Sequence, residues 1–421
     1  MKYELVYGKG KLSFTLPEGV TPTIIVPNEK PALADPHKAA SDAVKNPAGT
    51  PPLAQMLREK APKKIVVVVN DVTRPTPYHV MFPPLLEAFK EAGIKDDQVT
   101  LLVATGIHDV HTDEQNREFY SDEIVDRFTV ISHNAFEPDT HTYMGTFKSG
   151  YKFYVNTLAK EADFLITLGV VMPHYFAGYS GGRKSILPGL AGKDTVEKNH
   201  ARMVELMDDL PAIDVNPVSL EMIEAARQVG VDFILNVVVN DKQDVVSVHA
   251  GDLEKAWRSA VDISSSMFEV PFEKQVDICI TCASGYPRDI NAYQTQKALD
   301  HADRITRAGG TIILAAECPT GYGEHVFEEW MNRGWTPQQI MDEVKRNFVM
   351  GGHKAYGFAK VAAEKEYWLI SCFDEKDTKC LFAKKAATVQ EAVDAAFAKH
   401  GPGATCVYMP EGSVSLPVPR K

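Results

Sequence analysis

Unbroken apolar runs, separated by longer amphipathic stretches, constrain this chain more than any other feature. KIVVVVN (64–70), QVTLLVAT (98–105), TVISH (129–133), DFLITLG (163–169) and DFILNVVVN (232–240) read as strands. Their continuous apolarity is that of parallel strands buried on both faces, which helices must cover. Helical periodicity lies between them, at 83–92, at 113–127, and from the cap-forming Asp194 through TVEKNHARMVEL. The alternation resumes with VDICITCAS (276–284), a helix over NAYQTQKALDHADRITRAG and GTIILAAEC (310–318). Helices around 325–333, 336–347 and 388–399 follow, with strands at YWLISC and TCVYM. The expectation is an α/β protein of two domains, each with a mainly parallel sheet flanked by helices, and an active site in the interdomain crevice. Serines and a proline interrupt the periodicity in SSSMFEVPFEKQ (264–275), which sets the expected domains at 1–270 and 271–421. KYELVYGKGKLSFTLP, near the start, resembles a β-hairpin.

A formal net charge of −11 argues against a general nucleic-acid surface, which needs a basic excess. No run of eighteen or more uncharged apolar residues suggests a membrane span, and MKYELVYGKGKLSF has no apolar core of a signal peptide. The six cysteines (279, 282, 318, 372, 380 and 406) fall late in the chain, four of them in strand-like runs. Cys279 and Cys282 have the spacing of a redox or zinc pair. An extended strand turns residues three apart to opposite faces, and no second pair completes a zinc site. Core cysteines in a reducing cytoplasm are the expectation. Nothing in the sequence sets an oligomeric state.

Ligands of open α/β sheets collect outside the carboxyl ends of the strands. Here NDVTRPTP, TGIHDVH, VVMPHYFAGYSGGRKS and ASGYPRDINAYQTQK follow four of the strands, and such polar, Gly- or Pro-containing loops favour one shared site. Asp71, Thr73 and Arg74 fit either a turn locked by Pro75 and Pro77 or a grip on a phosphate-ribose unit, with Arg74 taking a carboxylate or phosphate bidentately. His108 is either a satisfied strand-end histidine or a proton shuttle. His111, His133 and His141 carry no signal beyond surface or core histidines. Gly182 is parted from Lys184 by Arg183, and GKD at 192–194 lacks a Ser or Thr, so the glycines do not form a standard phosphate loop. Lys184, set among those glycines, is a candidate nucleophile or Schiff-base lysine. His174 and His200 lack a third ligand of clear spacing. Gln294 and Lys297 stand three apart on one helix face, reading either as a solvated surface or as an anion contact.

Together NDVTRPTP, ATGIH, HYFAGYSGGRKSILPG, KNH and GYPRDINAYQTQK resemble the nickel-dependent lactate racemase family, over essentially the whole chain. The resemblance implies a cofactor of nickel held by a pyridinium-3,5-bisthiocarboxylate mononucleotide, the nickel pincer nucleotide, covalently attached at Lys184. It implies His200 as the protein's nickel ligand, and Asp71, Val72, Thr73 and Arg74 as contacts of the nucleotide. His108 and His174 become the acid/base pair, and Arg74, Gln294 and Lys297 substrate contacts. The implied reaction is racemisation or epimerisation of a 2-hydroxy acid (lactate-like, malate-like or a sugar acid). Hydride passes to the nickel pincer nucleotide while a base takes the hydroxyl proton, and returns to the opposite face of the flat 2-oxo acid. The implied partners are that small acid and the proteins that build the cofactor, with no nucleic acid and no membrane. Two departures bear on substrate identity. Asp109 follows His108 where many relatives have a basic residue, and the pocket aromatic has only Tyr356 and Phe358 as candidates. Rival readings are a net oxidoreductase with the same cofactor and a non-catalytic phosphorylated-ligand binding protein.

Overall fold

The computed structural model describes residues 1–206 and 211–420. The chain forms two compact units, one of residues 29–266 and one of residues 1–28 with 267–421. The first carries a six-stranded sheet in the order Val245–Gly251, Phe233–Val239, Phe164–Val170, Ile65–Asn70, Val99–Ala104, Thr129–Ser132. Only Val245–Gly251 runs antiparallel to its neighbour. Ile65, Val67 and Val69 pack on one side of this sheet with Ala40, Leu53 and Leu57 from the helices Pro36–Lys45 and Leu53–Lys60. Val66 and Val68, of opposite parity, are buried too, so the strand is covered on both faces.

The second unit repeats the plan with six parallel strands in the order Lys384–Lys385, Glu366–Ile370, Thr306–Ala315, Val276–Cys282, Cys406–Met409, Thr23–Ile24. Cys282 shares a core cluster with Ile278 and Ile280, which leaves Cys279 on the opposite parity; both are fully buried and none of the six cysteines is bridged. Among the described residues no helix is long and apolar enough to cross a membrane.

Four local expectations change. The hairpin exists, Lys2–Tyr7 with Gly10–Thr15, but residues 1–28 belong to the second unit, where Thr23–Ile24 extends the sheet beside Cys406–Met409. The periodicity over 113–127 becomes two helices, Asp113–Tyr120 and Asp122–Arg127, because Ser121 takes φ +86° and breaks the ladder. The helix expected at 83–92 begins earlier, at Tyr78, and runs through Pro83 and Pro84. Burial of Tyr78, Val80 and Met81 outweighs the prolines there. The serines of 264–266 sit inside the helix Leu253–Phe268, and the expected break comes only at the strand Glu269–Phe272.

Candidate active site

Eight of the candidate residues lie in the unit 29–266, on loops that follow three adjacent strands. After Ile65–Asn70 the backbone of Asn70 is clamped twice: its N–H donates to the Tyr78 hydroxyl (2.6 Å), and its carbonyl accepts from the Tyr120 hydroxyl (2.6 Å). Asp71, 4% exposed, turns its carboxylate back on the loop. Oδ1 accepts from the Thr73 amide (3.1 Å) and hydroxyl (2.5 Å), and Oδ2 accepts from His108 Nδ1 (2.6 Å). Burial pushes this carboxyl up, but the His108 bond and charge, the Thr73 hydroxyl and the Arg74 charge together hold it below its ordinary value. His108 therefore carries its proton on Nδ1 and keeps an acceptor at Nε2. Arg74 is exposed, its Nη1 donating to the Thr73 carbonyl (3.2 Å) and hydroxyl (3.1 Å).

His111, given no role by its spacing, fixes the exposed Val72: the Val72 amide donates to His111 Nε2 (3.0 Å), and His111 Nδ1 donates to Asn116 Oδ1 (3.0 Å). His133 is a core histidine, with Nε2 on the Ala191 carbonyl (3.0 Å) and Nδ1 accepting from Asn156 (3.2 Å).

The glycine stretch is built around Arg183 rather than around a phosphate. Its side chain is 1% exposed, stacked 3.7 Å from the Trp257 ring, and donates to the carbonyls of Tyr179 and Ala177 (2.8 Å each) and to Ser219 Oγ (3.0 Å). Gly181 and Gly182, at φ +74° and +51°, let the chain turn between Trp257 and Val171, where a Cβ at either would crowd those side chains. The short 3₁₀ turn Gly182–Ser185 then carries Lys184. Burial, and after it the charges of Arg74 and Arg183, push the Lys184 ammonium well below its ordinary value, so the amine tends to the neutral, nucleophilic form. The loop after Val99–Ala104 is tied to this segment through the Gly106 amide and the Gly189 carbonyl (3.0 Å).

His174 lies on a small ribbon, Pro173–His174 against Gly178–Tyr179. Its Nδ1 accepts from the Ala177 amide (3.4 Å), so its ring proton sits on Nε2, opposite to His108. His200 comes from the helix Lys193–Ala201 and is 8% exposed. Burial first, then the charge of Lys184 and, less, that of His108, hold its imidazole down to about 3, against an opposing pull from the Val196 carbonyl. Its Nδ1 is buried without a partner of hydrogen-bond geometry. The charge of Arg74 thus reaches Lys184, and the charges of Lys184 and His108 reach His200.

The remaining candidates, Gln294 and Lys297, lie on the helix Ala292–Ile305 of the other unit, Gln294 exposed and Lys297 half-buried. Asn291 caps that helix by accepting from the Gln294 amide (3.0 Å). Among the described residues no group of three or more His, Cys, Asp or Glu side chains could hold a metal ion.

Residues 7–208 match the family model of the lactate racemase N-terminal domain, and residues 272–417 that of the lactate racemase C-terminal domain. The chain belongs to the lactate racemase family. It is 35% identical over 349 residues to the lactate racemase of Thermoanaerobacterium thermosaccharolyticum, covering 81% of this chain and 80% of that one. With the lactate racemase of Lactiplantibacillus plantarum it shares 31% over 390 residues, 89% of each. The solved apoprotein of the T. thermosaccharolyticum lactate racemase superposes with a TM-score of 0.91 at 31% identity over 100% of both chains. A Thermotoga maritima protein of known structure shares the fold alone, at TM-score 0.65 and 16% identity over 91% of this chain and 98% of that one. This member of the lactate racemase family is accordingly an isomerase, a racemase.

The residues present fit the cofactor that the resemblance implies. A metal ligand must be a neutral imidazole with an available nitrogen, and His200 is held neutral with Nδ1 unpartnered. A covalent tether needs an unprotonated amine, which the surroundings of Lys184 favour.

Proposed function

We propose that the chain racemises or epimerises a 2-hydroxy acid by proton-coupled hydride transfer, with a nickel pincer nucleotide tethered at Lys184 and its nickel held by His200. The observation that carries this reading is His200, a buried imidazole kept neutral, with an unpartnered Nδ1 in the same charge environment as Lys184. Unit 29–266 is then the cofactor-binding unit, with Asp71, Val72, Thr73 and Arg74 on the nucleotide side. When bound, the cofactor supplies a centre that takes up and returns the hydride.

The chain's own residues handle the proton and the anion. Asp71 orients His108 so that Nε2 can accept the hydroxyl proton, while His174 holds its proton on Nε2. One acceptor and one proton carrier are what inversion through a flat 2-oxo acid requires, since the two antipodes present their hydroxyls differently. The exposed Arg74 grips the substrate carboxylate, and Gln294 and Lys297 are proposed as further contacts of the substrate anion or its oxo oxygen. The acid is lactate-like, malate-like or a sugar acid, and the chain works in the cytoplasm beside the proteins that build its cofactor.

The test is mass spectrometry and nickel analysis of protein made together with the cofactor-building proteins, with chiral chromatography of single-antipode 2-hydroxy acids. Expected are a modified Lys184 peptide, about one nickel per chain, and inversion without an added electron acceptor. An unmodified Lys184 and no nickel would overturn the assignment; turnover that needs an acceptor would mark a net oxidoreductase.

A further inference from the structure

Phe176 has no acid, base or metal-binding group, yet it meets three proposed site residues at once. Its ring, 4% exposed, lies 4.5 Å from the His174 ring at 89° and 4.9 Å from the His200 ring at 69°. Lys184 Nζ stands 5.4 Å from its centroid. These three side chains arrive from a two-residue strand, a helix and a 3₁₀ turn, and nothing local in the sequence sets their mutual geometry. Near-perpendicular contacts between rings set the positive edge of one against the negative face of another, so they resist rotation. An amine beside the ring is shielded from water, and its cation is weakly attracted. The backbone here is also pinned: the Phe176 carbonyl accepts from Asn216 Nδ2 (2.7 Å), and the Ala177 carbonyl accepts from buried Arg183 (2.8 Å). The backbone that carries the ring therefore cannot shift without breaking buried hydrogen bonds.

We infer that Phe176 is a positioning residue of the racemase, its ring setting the His174 imidazole, the His200 imidazole and the Lys184 amine in one arrangement. The inference rests on the roles proposed above for those three residues. It goes beyond volume filling, because leucine or methionine would fill most of the space while removing the near-perpendicular ring contacts to both imidazoles.

The experiment compares wild type, Phe176→Leu and Phe176→Met, each made together with the cofactor-building proteins. Melting temperature, the fraction of Lys184 carrying the adduct, nickel per chain, and kcat and KM on one chiral 2-hydroxy acid are measured. Expected are cooperative melting in at least one variant and a fall in kcat on the order of 10- to 100-fold with KM changed less than about threefold. The adduct fraction and nickel content should at least roughly halve, since a misplaced amine and imidazole are less ready to load. Folded variants with wild-type kcat, adduct and nickel would overturn the inference. So would failure of both variants to fold, which would make Phe176 a core residue. If wild type itself carries neither adduct nor nickel, the Lys184 and His200 assignments fail, and that result is read on wild type alone.

Discussion

The two units share one plan, six strands with mainly parallel neighbours and helices on the faces, but use the carboxyl ends of those strands differently. In residues 29–266 the loops beyond Asn70, Ala104 and Val170 gather Arg74, His108, His174, Lys184 and His200. In the other unit the corresponding loops close on the chain's own N-terminal hairpin. The Gly8 amide donates to Asp289 Oδ2 (2.6 Å), the Gly8 carbonyl accepts from the Tyr286 amide (2.9 Å), and the Tyr7 hydroxyl meets Cys372 Sγ (3.9 Å). Asp289, 1% exposed, also accepts from the Glu317 amide (3.2 Å). Gly8 sits at φ +53°, where an added Cβ would overlap the Glu317 carboxylate. One set of loops presents reactive groups and the other holds the N-terminal hairpin through backbone hydrogen bonds. Architecture alone therefore does not locate a site.

This contrast can be broken in four places. The largest effect should follow His200→Ala, which loses nickel and with it all turnover, read by elemental analysis on a correctly folded protein. Next, His108→Ala and His174→Ala should keep nickel but lower kcat by about 10²- to 10⁴-fold. If either variant stayed within about tenfold of wild type in both directions, the two-base assignment would fail. In the stapled unit Asp289→Ala should act on stability instead. It leaves the Gly8 and Glu317 amides without their acceptor and should cost roughly 2 kcal/mol or more, seen as a lower melting temperature with nickel content unchanged. Unchanged melting would mean that the hairpin is not a staple.

The smallest effect is acid sensitivity. Burial holds His133 and His249, both in 29–266, down to about 4, and burial likewise holds His301 of the other unit to about 4. An unfolded histidine protonates near 6.5, so below that pH the unfolded state binds more protons and stability falls as pH drops toward about 4. Calorimetry between pH 7 and 5 should show the transition of 29–266 moving further than that of its companion. Equal shifts would count against the histidine bookkeeping.

Most of the sheet framework was legible because strands such as Ile65–Asn70 and Phe233–Val239 are apolar without interruption, and burial on both faces demands that. The hairpin's address was not legible. Gly8 finds Asp289 at a separation of 281 residues, and no local pattern encodes such a partner. Asp71, His108, Lys184 and His200 could be singled out because chemistry restricts which side chains serve. Phe176 and Arg183 could not, since their roles arise from a ring and a guanidinium meeting carbonyls and side chains from distant turns. His111 looked idle for the same reason: its partner is the backbone of Val72.

Where the chain leaves the second unit and where it returns are stitched together, the Asn28 amide donating to the Met267 carbonyl (2.7 Å). In the order of the chain, residues 29–266 thus lie between the two segments of the other unit. During synthesis the hairpin emerges before Asp289, Glu317 and Cys372, and must wait for them before it has anything to hold. The unit bearing the proposed cofactor residues is therefore complete on the ribosome while its host still lacks most of its sheet.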